Sequence, residues 1–170
     1  MNLAKITIIG VVILGVCLCD IGVKAQTTPL SVSIEIDNSS VKLGADIQVK
    51  AILKNNTDQD IQVGELRTAG DLHLEYKVNV ERDDHTAVAK KYVEKLRRNE
   101  VSWDILVDAT GSVLFVTIQP GKTHEDSVYI NNRYEIDKPG KYSIQIEREL
   151  PESLGGGVIK SNTITVTVTP

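Results

Sequence analysis

The stretch from Ser127 to Arg148, SVYINNRYEIDKPGKYSIQIER, constrains the fold more than any other. Tyr142, Ile144 and Ile146 alternate with Lys141, Ser143, Gln145 and Glu147. One face is therefore apolar and the other wet, as a half-buried strand requires. Lys138-Pro139-Gly140 sets the start of that strand. Pro presets φ and Gly tolerates positive φ, so the pair makes a tight turn.

The same period-2 pattern recurs along the chain. Val32, Ile34 and Ile36 point inward on a first strand, and Asp37 to Ser40 turns the chain. Val41 to Gly44 leads into a second strand with Ile47, Val49, Ala51 and Leu53 inward. Asn55 to Asp58 is a turn by composition, since Asn and Asp bond their own backbone and tolerate left-handed geometry. Ile61 and Val63 suggest a brief strand, with Glu65 to Asp71 a loop. Leu72, Leu74, Tyr76, Val78 and Val80 form the cleanest alternating run and predict a long strand with His73, Glu75 and Lys77 on its polar face. Between 86 and 97, Val88, Ala89, Tyr92, Val93 and Leu96 fit either helical spacing or a returning strand. Arg97 to Gly111 reads as a loop with Trp103, Ile105 and Val107 as anchors. Leu114, Val116 and Ile118 resume the alternation, Gln119 to Lys122 turns, and Thr123 to Ile130 is the strand before the corner. After the Gly-rich loop Pro151 to Gly157, a last strand carries Ile164, Val166 and Val168 inward and four threonines outward, a β-branched run that suits a pleated surface. About eight or nine short strands separated by turns predict an all-β, two-sheet antiparallel sandwich.

Residues 1–25 have the pattern of a secretory signal peptide: Lys5, an apolar core from Ile6 to Leu18, and Val23-Lys24-Ala25 as a cleavage site. The uncharged run is shorter than the ~20 residues a spanning helix needs. Cys17 follows Leu14-Gly15-Val16, which leaves lipid attachment there as a further reading. Residues 26–170 then form one domain, secreted or periplasmic. Both cysteines, Cys17 and Cys19, lie in the leader, so the domain has no disulfide and no thiolate nucleophile. Removing Lys5, Lys24 and Asp20 with the leader leaves 17 basic and 22 acidic residues, a net charge of −5. With the two signs interspersed, this argues against a nucleic-acid surface.

The spacing from Ile136 to Gly140 to Tyr142 resembles the tyrosine corner of immunoglobulin-like sandwiches, which implies a hydroxyl bonded back to backbone near Tyr134 to Asp137. VKLGADIQVKAILKNNTDQDI, LEYKVNV, IQPGKT, YEIDKPGKYSIQIER and VIKSNTITVTV together resemble a group of uncharacterised exported bacterial domains with an immunoglobulin-like sandwich. LKNNTDQDI and IQPGKT are also similar to proteinase-inhibitor-like β-sandwich domains of bacteria. These motifs are turn and strand signals, so they imply fold rather than activity.

No residue is nominated as catalytic, cofactor-binding or metal-binding, and no cofactor is expected. His73, His85 and His124 lack HxH or HExxH spacing, so a metal site would have to be assembled from three distant segments. His73 and His85 are expected to be solvated. Asp58-Gln59-Asp60 and Asp83-Asp84 do not continue into a calcium loop. There is no GxSxG or SxxK motif. His124 and Asp126 share a strand face with Glu125 opposite, expected as a surface patch, and Lys90, Lys91, Lys95, Arg97 and Arg98 read as a solvated basic face. Asn38-Ser39-Ser40 and Asn55-Asn56-Thr57 match the glycosylation sequon, but no glycan is expected. The sequence points to a non-enzymatic binding or structural module for a protein or cell-envelope partner, without nucleic acid and without membrane once the leader is removed. A proteinase inhibitor is the alternative, engaging proteases through 97–111 or Pro151 to Gly157.

Overall fold

The computed structural model describes residues 28–67, 73–100 and 112–170. The expected leader, the Trp103 anchors and most of the predicted loop at 97–111 lie outside them. The described residues form an all-β sandwich with one short helix. Its elements are β1 (Leu30–Glu35), β2 (Ser40–Lys42), β3 (Gln48–Asn55), β4 (Ile61–Arg67), β5 (Tyr76–Arg82), α1 (Tyr92–Arg97), β6 (Ser112–Ile118), β7 (Thr123–Tyr129), β8 (Gly140–Glu149), β9 (Val158–Lys160) and β10 (Ile164–Thr169).

One sheet has the order β1-β3-β7, a second runs β2-β10-β8-β5 with β9 also on β8, and β4 and β6 make a two-stranded ribbon. The inward positions of each alternating run meet in one core. Leu30, Val32, Ile34, Val49 and Leu53 from the first sheet pack with Tyr76, Val78, Tyr142, Ile144, Ile146, Val166 and Val168 from the second. The base of the ribbon joins the same core through Ile61, Val63 and Ile118.

The tyrosine corner is present. The Tyr142 ring is buried and its hydroxyl donates to the Lys138 carbonyl at 2.7 Å, one residue beyond the expected span. Arg82 Nη2 donates to the Pro139 carbonyl at 2.9 Å and fastens the same turn.

Several expectations are corrected. Ser40–Lys42 is a strand in its own right and pairs with β10 in parallel, so the sandwich is not purely antiparallel. β4 runs to Arg67 where a loop was expected from Glu65, because β6 pairs with it through Arg67↔Ser112. The long strand expected from Leu72 begins only at Tyr76: His73 has a positive φ of 31°, and both His73 and Leu74 are buried, which strict alternation forbids. Between 86 and 97 the helical reading holds for Tyr92–Arg97 alone. Among its described side chains Glu94 is the buried one, while Tyr92 is exposed.

Glu94 explains the position of that helix. β5 ends its sheet, so its outer backbone groups would be left open. Glu94 Oε1 accepts from the Val78 N–H at 3.3 Å, and Arg98 Nη2 donates to the Val78 carbonyl at 2.8 Å. The Tyr134 hydroxyl donates to the same carbonyl at 2.7 Å. Side chains thus replace the missing neighbour strand. Part of the expected basic face is taken up by ion pairs, Arg98 with Glu94, Arg97 with Glu149 and Lys90 with Glu100, while Lys91 and Lys95 are exposed as expected.

Candidate functional site

β4, β7 and the turn before β5 converge on one point. Glu65 shares the inward parity of Ile61 and Val63 on β4, and His124 and Asp126 share that of Val128 on β7. His73 and Glu75 arrive from the turn that precedes Tyr76. His124 Nε2 lies 2.5 Å from Glu65 Oε1 and 3.2 Å from Asp126 Oδ1. His73 Nδ1 lies 3.0 Å from Glu75 Oε1 and 3.8 Å from Asp126 Oδ1. These are the two sets of side chains able to hold a metal among the described residues, and they share Asp126.

Apart from His124, the cluster is nearly closed to solvent. The Glu65, Asp126, Glu75 and His73 side chains are 0, 2, 9 and 10% exposed, and His124 is 24% exposed. The expectation that His73 is solvated, and that His124 and Asp126 form a surface patch, is therefore overturned. β7 turns this face toward the core, and His73 opens a turn closed by the Tyr76 N–H donating to the His73 carbonyl at 3.1 Å. His85 is exposed, as expected.

Surrounding groups hold the cluster in place. The Tyr76 hydroxyl donates to Asp126 Oδ2 at 2.6 Å, and Arg133 Nη2 donates to the His73 carbonyl at 2.6 Å. Arg133 is itself buried and paired with Glu94 Oε2 at 3.1 Å. The Glu75 carboxylate bonded to it raises the His73 imidazole above its ordinary value; burial opposes this, and the charges of Glu75, Asp126 and Glu65 add to the rise. Burial, with Asp126 alongside, pushes the Tyr76 phenol well above its usual range, so Tyr76 stays a neutral donor.

On the other side of Glu75 lies a cleft of about 420 Å³. Leu30, Val63, Leu150 and Leu154 form its apolar walls, and Glu75, Arg97, Arg148 and Glu149 its polar ones. Its volume is near the lower end of ligand sites, and its mixture of apolar walls with a few polar groups is typical of them. Pro151 and Leu154 bring the Gly-rich loop into the wall. Gly64, also in the wall, leaves the outer face of the ribbon uncovered: a Cβ there would stand 3.6 Å from Val113 Cγ1 and 3.8 Å from Phe115 Cε1. Val113 is 56% and Phe115 72% exposed.

Only part of this arrangement was legible beforehand. The inward parity of Glu65 with Val63, and of Asp126 with Val128, was a usable sign. The turn that brings His73 and Glu75 in was not, because the Leu72 to Val80 alternation runs unbroken through it.

No protein-family profile matches the chain. No curated protein matches it either. Among solved structures it is similar to a non-cellulosomal cohesin from the hyperthermophilic archaeon Archaeoglobus fulgidus, with 14% identity over 82% of this chain and 92% of that one and a TM-score of 0.24. A superposition that loose carries no argument about function.

Proposed function

We propose that the chain is a non-enzymatic binding module, exported by its leader, that docks a protein partner on the outer face of the β4–β6 ribbon and in the cleft beside it. The observation that carries this reading is the exposed pair Val113 and Phe115 on a ribbon face that borders the cleft across Gly64. Contiguous apolar groups exposed next to a concave site mark interaction surfaces. An aromatic beside a pocket is also the usual form of a binding hot spot. The cluster beneath suits a supporting role, since Glu65 and Asp126 are shielded from any substrate.

The proteinase-inhibitor reading gains no support from the loop Pro151 to Gly157. That loop folds back on itself through Leu154 N–H to Pro151 O at 2.9 Å, Gly155 N–H to Glu152 O at 2.9 Å and Gly156 N–H to Pro151 O at 3.1 Å. It offers no extended segment for a protease to take up.

The test places a photo-crosslinking residue at Phe115, at Leu154 and, as a control on the exposed end of the other sheet, at Lys42, in cells that make the protein. The expected result is one crosslinked protein common to the first two positions and missing from the third. Phe115→Asp should weaken capture at Leu154 at least tenfold while leaving the circular dichroism unchanged. Equal capture at all three positions would remove the proposal.

A further inference from the structure

We propose that two donor sets sharing Asp126, Glu65–His124–Asp126 and His73–Glu75–Asp126, form a binding site for a divalent transition-metal ion of the zinc class. Three segments bring two imidazoles and three carboxylates to one buried place. Among the described residues, the ion-pair partners within 4 Å are His73 for Glu75 and both His73 and His124 for Asp126, with the Arg133 charge acting on Glu75 from further off. Buried carboxylates otherwise require compensating charge or a metal. Glu75 Oε2 is buried and has no hydrogen-bond partner, although its side chain is only 9% exposed. That is an acceptor held ready in a place that water barely reaches.

The spacing fits one kind of ion. Two ligand atoms each about 2.1 Å from a tetrahedral zinc-class ion lie about 3.4 Å apart. The separations of 3.0 and 3.8 Å in the His73 set bracket that value, and in the His124 set Asp126 stands at 3.2 Å while Glu65, at 2.5 Å from His124, must move apart from it to admit an ion. The imidazole in each donor set favours zinc, copper, nickel or iron over Ca²⁺ or Mg²⁺, which take oxygen ligands in larger number or with retained water. Supporting hydrogen bonds of the kind that orient metal ligands are in place. Tyr76 holds the far oxygen of Asp126, leaving Oδ1 to the two imidazoles, and Arg133 grips the main chain of His73. His73 adopts its φ of 31°, a region non-Gly residues avoid, and this is the conformation that brings its ring to the cluster. His124, partly exposed, leaves the ion a way in.

The experiment uses the full chain with Cys17 and Cys19 changed to Ser, so that no thiolate contributes, stripped with a chelator and titrated with Co²⁺ and then Zn²⁺. The expected result is visible Co²⁺ bands of a four- or five-coordinate ion at one ion per chain, bleached by Zn²⁺ and unaffected by excess Ca²⁺ or Mg²⁺. His124→Gln, at the accessible edge, should weaken Zn²⁺ binding at least tenfold, and the His73→Gln/His124→Gln pair should abolish the bands. Glu125→Gln, on the opposite face of β7, should change nothing. Circular dichroism checks that each variant is folded. Flat titrations of the folded protein, Ca²⁺ competing on equal terms, or equal Zn²⁺ affinity in the folded double variant would overturn the proposal. Because the probe is the ion alone, the outcome is independent of whether a partner docks on the ribbon.

Discussion

At Tyr142 a single hydroxyl decides how the chain turns into β8. Its ring packs in the core, and its bond to the Lys138 carbonyl closes the loop over Pro139 and Gly140. Tyr142→Phe keeps the ring and removes the bond. Because Lys138 is exposed and its carbonyl can turn to water, the expected loss is near the ordinary net worth of a hydrogen bond, about 1 kcal/mol. It should appear as a lower denaturant midpoint at unchanged slope. Lys141→Ala, on the wet face of the same strand, should cost less than about 0.5 kcal/mol. This residue was legible because the corner is a local pattern: Pro-Gly followed by Tyr two positions on. Asn162 was not. Its side chain accepts from the Ile34 N–H at 2.8 Å and donates to the Ile34 carbonyl at 3.0 Å, standing in for a strand beside β1 across 128 residues of sequence. Nothing local announces such a bond. Asn162→Ala should leave both Ile34 groups without that partner and cost about 1 to 3 kcal/mol in the same assay.

At the scale of elements, alternation was enough to find most strands and too coarse to find their ends. β4 extends past its apolar positions because pairing with β6 carries it, and β2 exists only because β10 lies beside it. The helix shows the limit most clearly. Its apolar spacing suggested that Tyr92 would face the core, yet the helix is seated by the carboxylate of Glu94, which joins the open edge of β5 to the buried Arg133. Glu94→Ala would take from that guanidinium its paired carboxylate, and breaking one side of a buried pair costs about 3 to 5 kcal/mol. Arg133→Met in the same chain removes that charge. The double variant should therefore be less destabilised than the sum of the single variants, by about 0.5 to 3 kcal/mol. Additive losses in a chemical-denaturation cycle would show that Glu94 acts through the β5 edge alone.

Across the whole molecule, the cluster lies where the three sheets meet. Glu65 belongs to the β4–β6 ribbon, His124 and Asp126 to β7 of the first sheet, and His73 and Glu75 lead directly into β5 of the second. Among the described residues the ribbon is otherwise held toward its base, by its buried Ile61, Val63 and Ile118, by Asn55 Nδ2 donating to the Ile118 carbonyl at 2.8 Å, and by Arg148 Nη2 donating to the Gly64 carbonyl at 2.8 Å. Its far end can therefore open without unfolding the two sheets, as weakly anchored elements do. Opening would pull Glu65 away from His124 and dismantle the proposed site. An ion that binds only the closed form holds it shut by RT ln(1 + [ion]/Kd), about 2.7 kcal/mol at a hundred times Kd. Amides that exchange by opening of the ribbon should slow about a hundredfold at that Zn²⁺ concentration, from the same relation. β2, which lies on the far edge of its sheet and contributes nothing to the cluster, should exchange by local fraying at an unchanged rate. Hydrogen exchange read by mass spectrometry on fragments covering Ile61–Arg67 and Ser40–Lys42 separates the two. Equal slowing in both would mean that the ion stabilises the fold as a whole. Unchanged ribbon exchange with Zn²⁺ bound would mean that Glu65 does not close the site.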